Sequence, residues 1–496
     1  MHPNIIILCT DEMRGDCLAA NGLNPDIRTP HMDALAARGV NFGRHFTTFP
    51  KCVPARISLM TGRYCHTDGY RTISQHLPHA APDLLSALRA RGYQTALFGK
   101  NHCWENLLEA THNPPELAPG QTGLAADHHS WTPPFRARYH AARDEARGAP
   151  RPPGGPTCLE DGLGFVFHHK QHWADEVYAD QAIEYLTHVR DRSRPFFLQV
   201  NLEAPHPPYG VEEPYFSMYD REAIRPWPTG LPRNAPLPLA KQREVRTVPA
   251  DTLRAIQSTY MGMVSKVDAL MGRIVEAIES EGLFENTIVV LWADHGDFAG
   301  QYGLPEKWDT TFADCLLHVP FALVAPDLPS GVTVESLTDH SDIAPTLCEL
   351  LGIEPLPGMH GNSLLPVIGG AQGRSAVFAD GGHEDAMLGR FNFYEDREPA
   401  FTESGIPTVG TGKQETYRLH PDTMARAKMV RTDRHKMVVR FRGGNELYDL
   451  HGDPWEMDNR WGDPALAAVT QELQQKLLEW CLATDTDRPH QDDVGA

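Results

Sequence analysis

From Asn4 to Thr10 the chain is almost continuously apolar, over a length that suits a strand. A strand without polar alternation is covered on both faces, as in a parallel sheet. Thr95–Phe98, Phe196–Leu202, Thr287–Ala293 and Val319–Ala325 repeat the pattern. Between these runs, Met32–Arg38, Pro82–Arg91, Ala174–Val189, Thr252–Ser280 and Asp342–Leu351 carry apolar residues at helical spacing. The alternation predicts an α/β fold: a large, mostly parallel sheet flanked by helices. Ligands of such sheets lie outside the carboxyl ends of the strands. That rule directs attention to Asp11, Lys100, the segment after Leu202, and Asp294.

Two stretches break the alternation. Residues from about 101 to 164 are rich in Pro, Gly and His, and those from about 381 to 424 are polar and irregular. Both read as insertions or lids that shape a site. Beyond them, Ala427–Thr432, Lys436–Phe441 and Glu446–Leu450 alternate and predict an antiparallel meander, followed by a helix over Pro464–Ala483. The expected organisation is a main domain over residues 1–380, an insertion over 381–425, and a smaller C-terminal α+β domain over 426–496.

Composition narrows the partners. With 496 residues, 41% hydrophobic and 22% charged, the chain has the balance of a soluble enzyme with a large core. A formal charge of −20 argues against nucleic acid or an anionic membrane as partner. An anionic substrate would therefore need a local cluster of Arg, Lys and His. Met1-His2-Pro3-Asn4 leads straight into the first strand, without the basic and apolar regions of a signal peptide. No apolar run is long enough to span a bilayer. Nine scattered cysteines do not make a disulfide framework, and the cytoplasm is the expected compartment. Nothing in the pattern fixes an oligomeric state.

Candidate chemistry centres on Cys52-Val53-Pro54-Ala55-Arg56, followed by Leu59-Met60-Thr61-Gly62-Arg63. Pro54 suits the first turn of a helix, which leaves Cys52 at the N-terminus, where the dipole favours an anion. Asp11-Glu12 follows the first strand, and Asp294-His295-Gly296-Asp297 follows Thr287–Ala293. Acidic oxygens with one His suit a hard divalent cation. Three basic segments also sit at strand ends or nearby: Gly99-Lys100-Asn101-His102, Pro205-His206-Pro207-Pro208-Tyr209, and Lys307.

The C-x-P-x-R then L-x-T-G-R pattern resembles the signature of the formylglycine-dependent sulfatases of the alkaline phosphatase superfamily. Thr29-Pro30-His31-Met32-Asp33-Ala34-Leu35-Ala36 is similar to a further segment of that family, and Glu446-Leu447-Tyr448-Asp449-Leu450 to its C-terminal closing segment. The resemblance implies a sulfuric ester hydrolase in which a maturation enzyme oxidises Cys52 to formylglycine (3-oxoalanine). The hydrated aldehyde offers one hydroxyl to attack sulfur and a second to expel sulfate afterwards. The resemblance further implies Asp11, Glu12, Asp294, His295 and residue 52 as the metal set. Ca²⁺ is favoured, while Glu12 and His295, in place of the commoner Asp and Asn, leave Mg²⁺ or Mn²⁺ open.

Roles follow by the same matching. Arg56 orients the aldehyde hydrate. Lys100, His206 and Lys307 bind the sulfate, and His206 with Lys307 is the candidate proton donor to the leaving oxygen. His102 is the candidate base that collapses the sulfated intermediate. Asp297 is structural. The expected substrate is a small carbohydrate or aryl sulfate, its alcohol read by Tyr70, Arg71 and the two insertions. Phosphonate or phosphate ester hydrolysis on the same scaffold is the alternative, disfavoured by the Lys100/His102 pattern. A non-catalytic metal-binding protein would follow if Cys52 stayed unconverted.

Overall fold

The structure, a computed structural model, describes residues 2–73, 75–78, 81–104, 128, 129, 141, 166–168, 172–383 and 409–485. Most of the first expected insertion, and residues 384–408 of the second, lie outside them.

The main sheet has eight strands: β1 (Asn4–Asp11), β2 (Val40–Phe42), β3 (Gln94–Gly99), β4 (His128–His129), β5 (Phe196–Pro205), β6 (Thr287–Ala293), β7 (Phe321–Val324) and β8 (Val332–Val334). Their spatial order is β8-β2-β7-β6-β1-β5-β3-β4. At the centre, β1 pairs in parallel with β5 (Ile5 opposite Phe197) and with β6 (Ile5 opposite Ile288). Beyond β5, β3 and then β4 continue the parallel pairing.

The unbroken apolar run of β1 has a direct cause. Ile6 and Leu8 face one core with Val264 and Val267 of a long helix, Ala250–Ser280. Ile5, Ile7 and Cys9 face the other with Val53, Ile57 and Met60 of the helix Cys52–Thr61. All five β1 side chains are fully buried. Each full burial of an Ile or Leu stabilises the fold by about 1.5–3 kcal/mol.

One strand departs from expectation. Val319–Ala325 reads in the sequence as another parallel strand, yet β7 runs antiparallel to both β6 and β2. A parallel return needs a crossover, usually a long helix over one face of the sheet. Between β6 and β7 the chain forms loops, a 3-10 turn at Gln301–Gly303, one short helix at Asp314–Leu317 and a two-residue strand at His318–Val319. It thus re-enters the sheet at the strand end it left.

Near the C-terminus the predicted meander is present as β10 (Ala427–Arg431), β11 (His435–Arg440) and β12 (Glu446–Asp449). A fourth strand, β9 (Val377–Gly381), pairs antiparallel with β10. The helix Ala467–Ala483 packs Leu473, Leu477 and Trp480 on this sheet against Val430 and Met437. Among the described residues no helix is long and apolar enough to cross a membrane.

Candidate active site

Helix α2 (Cys52–Thr61) begins after Lys51, which is extended, and ends at Gly62 in the left-handed conformation (φ 68). Every residue of α2 is buried. Its first residue therefore points a thiol into the protein beside the ends of β1 and β6. Burial pushes the Cys52 thiol up, and the Asp11 carboxylate adds to this despite Lys307 and Lys100. The helix N-terminus does not make it a thiolate, so an unmodified Cys52 is a poor nucleophile.

The acids arrive from two adjacent strands. Asp11 ends β1, and Glu12 follows with a positive φ of 71, a conformation costing a non-glycine residue about 1–3 kcal/mol. The Glu12 N–H donates to Asp294 Oδ1 at 3.0 Å, and Tyr260 OH donates to the Glu12 carbonyl at 2.7 Å. These bonds hold the turn that aims two successive carboxylates at one space. His295 Nδ1–H donates to the Gly296 carbonyl at 2.9 Å. Its Nε2 faces the site, 3.2 Å from Cys52 Sγ, and is free to act as a ligand atom when the ring is deprotonated there.

Ligand atoms of Asp11, Cys52, Asp294 and His295 all lie within 4.8 Å of one another. Glu12 Oε1 is buried beside them without a hydrogen-bond partner. Three buried carboxylates, an inward imidazole nitrogen and an unsatisfied oxygen fit a divalent cation.

The counter-charges are equally specific. Arg56 donates from Nε to Asp294 Oδ2 and from Nη2 to Asp11 Oδ2, both at 2.9 Å, and from Nη1 to the Lys100 carbonyl at 3.0 Å. One guanidinium thus ties together the ends of β1, β3 and β6. Lys100 Nζ lies 2.6 Å from Asp11 Oδ2. Burial opposes its charge, but the Asp11 carboxylate holds its pKa above the ordinary lysine value. Gly99, at φ 91, is required here because a Cβ would collide with the Asn201 carbonyl.

Lys307 Nζ donates to Glu12 Oε2 at 2.6 Å and lies 3.1 Å from His206 Nε2. His206 Nδ1–H donates to the Pro207 carbonyl at 2.6 Å, leaving Nε2 to accept from Lys307. Burial, then Lys307 and Lys100, push the His206 pKa well down. The proton shared by this pair therefore rests on Lys307. His102 has a positive φ of 46, and its Nδ1 is buried without a hydrogen-bond partner. Burial, Lys100 and Arg56 keep its ring neutral. The structure thus gathers Asp11, Glu12, Cys52, Arg56, Lys100, His206, Asp294, His295 and Lys307 by direct contact. His102 stands beside them without a bond to residue 52.

Several neighbours escaped the sequence. Lys51 forms a buried ion pair with Asp309, and His383 Nε2 lies 3.9 Å from the same carboxylate. Lys413 donates to Glu306 at 3.0 Å. No spacing signal marks these residues, because each partner lies far along the chain, with 258 positions between Lys51 and Asp309 and 107 between Lys413 and Glu306. Arg71, expected to read substrate, is instead paired with Asp380 at 2.6 Å. Asp297 accepts from Tyr209 OH at 2.8 Å, and burial pushes its carboxyl up to about 6. Beside Lys307 a small cleft is lined by Gln242, Arg246, Glu306, Trp308, Lys413 and Thr416.

The chain is similar to several known proteins over nearly its whole length. A multifunctional alkaline phosphatase superfamily protein of Trinickia caryophylli is 25% identical, over 97% of this chain and 95% of its own. An ulvan-active sulfatase of Formosa agariphila is 26% identical, over 96% of this chain and 80% of its own. The phosphonate monoester hydrolase of Agrobacterium radiobacter superposes with a TM-score of 0.74 at 26% identity, covering 97% and 96% of the two chains. The Sulfatase family model matches residues 3–353, from the first strand through the helix Ile343–Leu351. The chain belongs to the sulfatase family, hydrolases of the alkaline phosphatase superfamily.

Proposed function

We propose that this chain hydrolyses a small carbohydrate or aryl sulfate ester, with residue 52 acting as formylglycine beside a divalent cation. The observation that carries the reading is the position of Cys52 Sγ. It lies 3.2 Å from His295 Nε2 and 3.7 Å from Asp11 Oδ1, in a site that also holds Lys100 and Lys307.

Asp11, Glu12, Asp294, His295 and residue 52 would hold the cation, which when bound supplies Lewis-acid polarisation of an ester oxygen. Oxygen-rich donors favour Ca²⁺, with Mg²⁺ or Mn²⁺ as alternatives. Formylglycine at residue 52 would supply a hydrated aldehyde, a nucleophile with its own leaving step. Arg56, fixed by Asp11 and Asp294, orients that hydrate. Lys100 and Lys307 accept the negative charge that grows on the sulfate oxygens. Lys307, with His206 as its partner, delivers a proton to the departing alcohol. The neutral ring of His102 accepts a proton when the intermediate collapses. The alcohol portion is proposed to be read by Tyr70 and the two insertions, over residues 101–164 and 381–424. A formylglycine-generating enzyme is the implied partner. The cytoplasm is the proposed compartment, where the eight unpaired cysteines among the described residues stay reduced.

Phosphonate ester hydrolysis is the second reading, favoured by the likeness to the Agrobacterium radiobacter enzyme. The test of the first is chemical. Protein made with a maturation enzyme should carry an aldehyde at residue 52 and release sulfate, and Cys52→Ala should abolish release. Full release by Cys52→Ala overturns the proposal.

A further inference from the structure

His206 is held by its backbone as well as by its ring. The Glu203 and Ala204 N–H groups both donate to the Asp175 carboxylate, at 2.7 and 2.9 Å. The His206 N–H donates to the Glu203 carbonyl at 3.1 Å. The His206 carbonyl accepts from His172 Nε2 at 2.6 Å. On its other side the His172 ring turns Nδ1 to Glu203 Oε2 at 3.5 Å. Asp175 is the second residue of the helix Ala174–Glu184, and His172 lies two residues before that helix.

We propose that His172 is a positioning residue, clamping the His206 carbonyl so that His206 Nε2 stays opposite Lys307. Among the described residues both ring nitrogens of His172 face acceptors, a carbonyl and a carboxylate, and an imidazolium is the form that satisfies both. Its side chain is 10% exposed, so the charge needs partners at hand. The titratable groups facing it are Glu203 from β5 and Asp175 from the helix. Burial opposes protonation of His172, and Glu203 and Asp175 together hold its pKa above the ordinary value. Burial pushes Asp175 up to about 7, against the pull of His172.

The consequence is directional. The His206 ring is already fixed at Nδ1 by the next carbonyl, so its Nε2 moves with the local backbone. Loss of the clamp shifts Nε2 from Lys307. Among the described residues His172 itself bonds only the His206 carbonyl and Glu203, and touches none of Asp11, Glu12, Cys52, Lys100, Asp294, His295 or Lys307. The damage should fall on proton delivery, and hence on esters whose alcohol leaves poorly.

This inference rests on the assignment of Lys307 and His206 as proton donor, and the test separates the two. In formylglycine-containing enzyme, kcat and KM are measured for glucose 6-sulfate and 4-nitrophenyl sulfate, with thermal melting as the folding control. The side-chain amide of His172→Gln can reproduce the Nε2 donor, whereas that of His172→Asn stands at the Nδ1 position. The Asn variant should lose roughly tenfold or more kcat on the sugar ester relative to the aryl ester, with KM nearly unchanged. The Gln variant should recover most of that loss, and His206→Ala should show the same bias more strongly. Equal losses in Asn and Gln, or losses blind to the leaving group while His206→Ala discriminates, overturn the clamp. If His206→Ala slows both esters alike, the donor assignment fails and the clamp with it.

Discussion

His295 Nε2 and Cys52 Sγ meet at 3.2 Å, although 243 positions separate them in the chain. The contact joins the end of β6 to the start of α2. It puts an imidazole nitrogen and a buried thiol at the point where three carboxylates converge. Its immediate consequence is that Cys52, as a thiol, is protonated and sheltered. Unconverted protein should react slowly with iodoacetamide at neutral pH, and a Cys52→Ala variant should show the same labelling rate. Rapid labelling confined to Cys52 would contradict the burial argument.

Conversion itself is read by mass. Trypsin leaves only the short fragment Cys52–Arg56, so another protease should be used. The peptide from protein made with a maturation enzyme should carry an aldehyde in place of the thiol, and the peptide from protein made without one should not.

Arg56 is the structural keystone of the site, since it bonds Asp11 and Asp294 at once. Arg56→Ala leaves two buried carboxylates without their partner. We expect a loss of about 3–5 kcal/mol in urea unfolding. Arg56→Lys should recover only part, because an ammonium cannot reproduce the fork that reaches both acids.

Asp309 gives a pH-dependent prediction. Burial alone would raise its carboxyl, but Lys51, Lys413 and His383 overcome this and hold it down at about 2. A carboxylate with a depressed folded pKa stabilises above its unfolded value of about 3.9, and the stabilisation is lost as pH falls toward about 2. Its size is about 2.6 kcal/mol. The stability gap between wild type and Asp309→Asn should therefore narrow between about pH 4 and pH 2. A gap constant across that window would show that the ion pair does not carry it.

Metal binding should be visible apart from turnover. A bound cation would give the buried Glu12 Oε1 the partner it otherwise lacks. Chelation should lower the melting temperature and Ca²⁺ should restore it, with about 2.7 kcal/mol gained at a hundredfold excess over Kd. Glu12→Gln should reduce that gain. An unchanged Ca²⁺ response in Glu12→Gln would remove Glu12 from the set.

Much of the site was legible because its chemistry lies in short contiguous segments at strand ends. Asp11-Glu12, Cys52 through Arg56, Gly99 through His102, and Asp294-His295 each declare a residue type and a location together. The sheet was legible where strands are buried on both faces, as β1 is. The direction of β7 was not, since an apolar run carries no sign of which edge the chain returns from. β9 was missed because its five residues sit before a long irregular stretch and find their partner only at Ala427–Arg431. Lys51 with Asp309, and His172 with His206, are paired by tertiary packing alone. No local period encodes them.

The central claim is sulfate ester hydrolysis, and the direct measurement is a paired kcat/KM on 4-nitrophenyl sulfate and 4-nitrophenyl phenylphosphonate, using formylglycine-containing enzyme with Ca²⁺. Lys100 and His102, both at the mouth of β3, predict that the sulfate is cleaved with the higher kcat/KM. A phosphonate preference of orders of magnitude would contradict the account and assign the site to phosphonate esters instead.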